Sequence, residues 1–141
     1  MKPELWLNRA DHEIALAKEL LEAGSLLWAV SYAHRSVEYA LEGLIVLKTG
    51  ERPERGLMLA DLQTIATPYL PDTIVPAIND LVSITPVVWK SDIKADQVAF
   101  LTDNRTRKLI DEAKETLSWI GEEWERCVGS GNNPENLTPL S

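Results

Sequence analysis

The run from Leu26 to Lys48, LLWAVSYAHRSVEYALEGLIVLK, decides how the chain folds. Val30, Ala33, Val37, Leu41, Leu44 and Ile45 recur at helical spacing and make one apolar stripe. As a helix this run is about 34 Å long, enough to cross a small domain. His34, Arg35, Glu38 and Glu42 lie in or beside the stripe. They form a His-Arg-Glu cluster.

Outward from that run, the same periodicity repeats. Residues from about Pro3 to Ala23 form a first helix, with Trp6, Ala10, Ile14, Ala17 and Leu21 inward and Glu13, Lys18, Glu19 and Glu22 outward. Gly24 suits a left-handed helix end and Ser25 suits a cap for the next helix. So short a connection predicts an antiparallel hairpin. The long second helix stops at Gly50, and the loop Glu51–Gly56 is polar. A shorter helix follows over about Met58–Thr67, with Leu59, Leu62, Ile65 and Ala66 on one face, before Pro68 and Pro71. Asp72 is expected to cap a fourth helix over about Thr73–Thr85, with Ile74, Ile78, Leu81, Val82 and Thr85 inward. Pro76 is tolerable in its first turn.

Residues 87–101 have no clean period and read as a loop that packs Val88, Trp89 and Phe100 onto the bundle. Asp103 or Asn104 is expected to cap a last long helix to about Cys127, with Leu109, Ile110, Ala113, Leu117, Ile120 and Trp124 inward. The five tryptophans mostly fall on inner stripes and read as core and interface rather than base-stacking platforms. The expected fold is an all-α, up-and-down bundle of about five helices, three long and two short. The bundle domain is expected over residues 1–128, with a Gly-, Pro- and Asn-rich tail over 129–141.

Composition narrows the functional classes. The chain's 141 residues suit one domain, and a 45% hydrophobic content supports a core. A formal charge of −8 disfavours a non-specific coat on nucleic acid. Cys127 is the only cysteine, so no internal disulfide and no cysteine-based metal site can form. Nothing resembles a signal peptide or a membrane span, so the expected location is cytoplasmic. Neither a phosphate-binding glycine loop nor a Ser-His-Asp or Cys-His arrangement occurs. No cofactor or metal is expected.

At the second helix the run His34-Arg-Ser-Val-Glu-Tyr-Ala-Leu-Glu-Gly-Leu44 resembles the signature of HEPN domains, the higher eukaryotes and prokaryotes nucleotide-binding family. Tyr32, Ala40, Leu41 and Leu44 fit its apolar positions and Glu38 its acidic one. Gly50, Pro53 and Leu59-Ala-Asp-Leu62 are similar to the family's following connection, and Ala113–Ile120 is similar to its closing helix. The departures are specific. Arg35 stands where Gln is usual, Tyr39 and Glu42 where Lys is usual, and Ala60 where His is usual. The ribonuclease members carry an Arg four to six residues before a His on a late helix. Here His12 and His34 are both early, and neither has an Arg at that distance. The resemblance implies a binding or interaction module, a homodimer that accompanies a nucleotidyltransferase-type partner in a toxin–antitoxin-like pair. It also implies a nucleotide or RNA as ligand.

Two sets of residues are candidates for that ligand. His34 and Glu38 share a helix face, where a carboxylate can orient an imidazole, and the Arg35 fork could clamp a phosphate. These three could line a cleft between two subunits; the simpler reading is a structural His–Glu pair beside a solvated arginine. Arg105, Arg107 and Lys108 cluster at the start of the last helix, where anions are attracted; the simpler reading is a solvated face. The alternative function is a metal-independent ribonuclease with a non-standard site at His34, Arg35 and Glu38.

Overall fold

The computed structural model describes residues 3–85 and 101–129, and among these the secondary structure is helical throughout. The helices are α1 (Pro3–Glu22), α2 (Leu26–Thr49), α3 (Leu59–Ala66), α4 (Val75–Ser83) and α5 (Asp103–Gly129). One 3₁₀ turn, Thr67–Tyr69, follows α3, where Pro68 prevents the helix from continuing. The expected loop contacts of Val88, Trp89 and Phe100 fall outside the described residues, as do residues 130–141 of the expected tail. The last helix itself runs on through Gly129.

The α1–α2 connection follows from Gly24. Its φ of 79° is open to glycine and costly for other residues. The Ser25 N–H donates to Leu20 O and the Gly24 N–H to Leu21 O, the paired bonds of a Schellman ending. The chain therefore reverses in three residues. Trp6 then meets Glu42, and Arg9 meets Tyr39, so the helices run antiparallel. Ser25 occupies the position before α2 as expected, but its side chain makes no capping bond. Gly50 ends α2 at φ 75°, with its N–H on Val46 O.

The starts of the later helices differ from expectation. α4 begins at Val75, after Ile74 rather than Asp72, because the Ile74 N–H closes a turn onto Pro71 O first. α5 is capped by Thr102, whose hydroxyl accepts the Arg105 N–H at 3.1 Å. Asp103, expected as a cap, instead sits in the first turn and binds Arg107.

α2 is the centre of the bundle, and α1, α3, α4 and α5 all pack on it. Val30, Ala33, Val37, Leu41 and Leu44 are inaccessible to solvent, and Ile45 is nearly so. The inward sets expected on α1 and most of α5 are buried too, with Trp124 half-buried. One expectation fails. Ile65 is 40% exposed, because α3 is short and only Leu59, Leu62 and Ala66 reach α2. Trp28 is 62% exposed, on the side of α2 away from its stripe.

Lys48 at the end of α2 binds Glu123 near the end of α5, so these helices end together. At the opposite end, Leu21 and Glu22 of α1 border the same groove as Arg107 and Ile110 of α5. α2 and α5 are therefore parallel, both antiparallel to α1.

A Leu41→Ala change should lower the unfolding free energy by about 2–5 kcal/mol in a urea titration, because the cavity lies in the fully buried core. Ile65→Ala should cost less than about 1 kcal/mol, since that side chain has little apolar area to lose.

Candidate functional site

The α2 sequence puts His34 on the buried side and Arg35 and Glu38 beside it. His34 is wholly inaccessible, and its Nε2 shares a 2.8 Å hydrogen bond with Thr85 Oγ1 just past α4. Its Nδ1 lies 3.5 Å from Glu38 Oε1, one turn on. The imidazole thus ties α2 to α4 and holds Glu38 from behind. Glu38 is 15% exposed at its side chain, and Arg35 is half-buried. Arg35 and Glu38 can meet a ligand directly. From its present place, His34 can act on one only through Glu38.

The outer side of α2 continues that pattern. Trp28, Tyr32, Arg35, Tyr39 and Glu42 alternate at spacings of four and three residues, which places them within one narrow arc. Trp28 is open, and the others are partly covered. Tyr39 is covered by the Arg9 guanidinium, 5.8 Å from its ring centre. Glu42 accepts the Trp6 indole N–H at 2.9 Å.

At that end of the arc lies an open cleft of about 530 Å³. α1 supplies Trp6 and Arg9, α2 supplies Tyr39 and Glu42, and the 51–56 loop supplies Arg52 and Arg55. Arg52 lies 6.0 Å over the Trp6 ring. Burial pushes the Glu42 carboxyl above its ordinary value, and the charge of Glu38 pushes the same way. The Trp6 hydrogen bond and the Arg52 and Arg9 charges oppose that rise. Sequence reading missed this cleft because its groups come from three segments. Gly24 held the one available signal. Trp6 and Glu42 are equidistant from it along the chain, as are Arg9 and Tyr39. A hairpin turning there must bring each pair together.

The basic group on α5 sits among carboxylates. Arg107 Nε donates to Asp103 Oδ2 at 2.6 Å, and Lys108 Nζ is 3.6 Å from Asp80 Oδ2 on α4. Arg105 lies half-buried and near enough to act on Asp80 and Glu112. Glu112 is pushed up to about 7 by burial and by the adjoining Asp80. Asp80 moves the opposite way, lowered first by its hydrogen bond from Glu112 and then by Lys108 and Arg105. Asp103 and Asp80 thus offset part of the positive charge of this group. Among the described residues no group of His, Cys, Asp and Glu is arranged to hold a metal ion. None of the described helices is long and apolar enough to cross a membrane.

The helical order, the central α2 and the short α3–α4 segment define a class of small all-α domains. The chain belongs to the HEPN domain family, whose model matches residues 3–124. TT1696 from Thermus thermophilus superposes with a TM-score of 0.67 at 22% identity, covering 85% of this chain and 96% of that one. ST0689, described as an archaeal HEPN homologue, gives a TM-score of 0.68 at 18% identity, covering 87% and 98%. At these identities the likeness shows a shared fold. No curated protein matches the chain.

Because Glu112 binds its proton more tightly when folded than when unfolded, its contribution to stability is full below about pH 4.5. It is lost progressively as pH rises from there to about 7. Glu112→Gln, which keeps a donor for Asp80, should remove that decline. Thermal melts should show the variant and the wild type alike near pH 4.5, and the variant more stable at pH 8.

Proposed function

We propose that this HEPN domain is a cytoplasmic binding module that acts as a homodimer, paired through the outer side of α2. In this reading it works beside a nucleotidyltransferase-type partner, in the manner of a toxin–antitoxin pair. The observation that carries the pairing is Trp28. A large side chain 62% exposed on an ordered helix, in line with Tyr32 and Arg35, is the kind of anchor that interfaces use. Two copies meeting there across a twofold axis would bring two Arg35 and two Glu38 side chains to one seam. Arg35 of one copy can face Glu38 of the other, which suits a self-complementary contact. A nucleotide or RNA held at that seam would meet Arg35 as its phosphate clamp and Glu38 as a polar contact, with His34 positioning Glu38.

Ribonuclease chemistry has less support. His34 is sealed within the bundle and bonded to Thr85, so it has no direct path to a substrate proton.

Light scattering on the eluting protein decides the pairing. Wild type should run at twice the 15.8 kDa chain mass at micromolar concentration. Trp28→Glu should run as a single chain with unchanged helical circular dichroism. A wild-type protein that stays a single chain at every concentration would rule the pairing out.

A further inference from the structure

The cleft between α1, α2 and the 51–56 loop lies within one copy, so a ligand there does not depend on the dimer. It gathers three of the chain's 14 basic residues, Arg9, Arg52 and Arg55, in a molecule of net charge −8. Among the described residues, none of the three guanidiniums forms an ion pair within 4 Å with a carboxylate. Two of them lie over aromatic rings, Arg9 5.8 Å from the Tyr39 centroid and Arg52 6.0 Å from that of Trp6. A cation held by a ring in this way keeps its charge, and its N–H donors remain available to an oxyanion. Two carboxylates line the cleft with them, Glu54 and Glu42, the latter half-buried and held by the Trp6 indole N–H.

We propose that this cleft binds a phosphate monoester dianion, and that Glu42 takes up a proton from solvent as the ligand enters. Charge balance selects the ligand. With Glu42 ionised, Glu42 and Glu54 answer two of the three arginines lining the cleft. With Glu42 protonated, an excess of two positive charges remains, which matches the dianion. Guanidinium forks also suit the geometry of phosphate oxygens, which accept paired N–H bonds. The groups that face Glu42 are Trp6 and Arg9 from α1, Glu38 and Tyr39 on its own helix, and Arg52 from the loop. Burial and Glu38 already favour the protonated form, and an incoming dianion beside it favours that form further. Glu42 therefore serves as an internal counter-charge that is withdrawn when the ligand arrives.

The test is calorimetric titration of the full chain with phenyl phosphate, and with sulfate, whose charge is constant between pH 5.5 and 8. Phenyl phosphate should bind once per chain, and dimethyl phosphate, a monoanion, should bind much more weakly. Arg52→Ala should weaken phenyl phosphate by about tenfold or more, the usual loss for a charge-assisted contact. Arg55→Ala, in the exposed loop, reads the same contact without touching the Trp6 ring. Lys114→Ala, on α5 and outside the lining of this cleft, should bind as wild type does. Sulfate should bind wild type more tightly as pH falls from 8 to 5.5. Glu42→Gln should bind tightly and equally across that range.

Failure of the wild type to bind either probe at millimolar concentration would overturn the site. Equal binding by wild type, Arg52→Ala and Arg55→Ala would overturn it as well. A pH dependence that survives in Glu42→Gln would overturn the role of Glu42. Arg35→Ala, placed at the α2 seam, separates the two readings. Its loss of nucleotide with phenyl phosphate retained would assign the ligands to different places.

Discussion

Burial of one face of α2 is the constraint on which the rest of the molecule depends. Val30, Ala33, Val37, Leu41 and Leu44 leave no accessible surface, and each such side chain is worth about 1.5–3 kcal/mol of transfer energy if large. No single neighbour can cover a helix of 24 residues on so many sides. α1 covers one flank through its hairpin, α5 covers another, and the short α3 and α4 fill the remainder. Each of those helices needs only a narrow apolar stripe, so α5 can be polar on average and still be held firmly.

That division of labour explains what could be read in the chain before any coordinates. Stripes and glycine stops are local signals, and Gly24 and Gly50 adopt the left-handed backbone that their positions required. Helix starts are less local. Thr102 rather than Asn104 caps α5, and Ile74 rather than Asp72 precedes α4, because neighbouring turns compete for the same amides. Trp28 and Ile65 show a different limit. An apolar side chain declares a preference for burial, but whether a neighbour arrives to satisfy it depends on the length and placement of other helices. The cleft was hidden for a third reason. Its charge lies on residues that are ordinary in their own segments and acquire meaning only when the α1–α2 hairpin and the 51–56 loop bring them together.

His34 illustrates the distance between a residue's type and its role. Imidazole on a helix beside Glu and Arg suggests proton transfer. Full burial and a bond to Thr85 give it mechanical work instead, fastening α4 against α2 and fixing Glu38 at the surface. The same holds for the basic residues that open α5. Their charge is partly answered by Asp80 and Asp103. By contrast, Arg9 and Arg52 rest on aromatic rings, which hold a cation without cancelling its charge.

The parallel course of α2 and α5 has an electrical consequence. Peptide dipoles in both helices add in the same direction, so two partially negative carbonyl ends emerge side by side. Lys48 and Arg126 stand in those last turns and converge on Glu123 between them. The opposite-running α1 presents its partially positive amide end at the same pole, where it moderates the pair. The bundle is thus polarised along its length, and Lys48 and Arg126 stand where that polarity would otherwise repel an approaching anion.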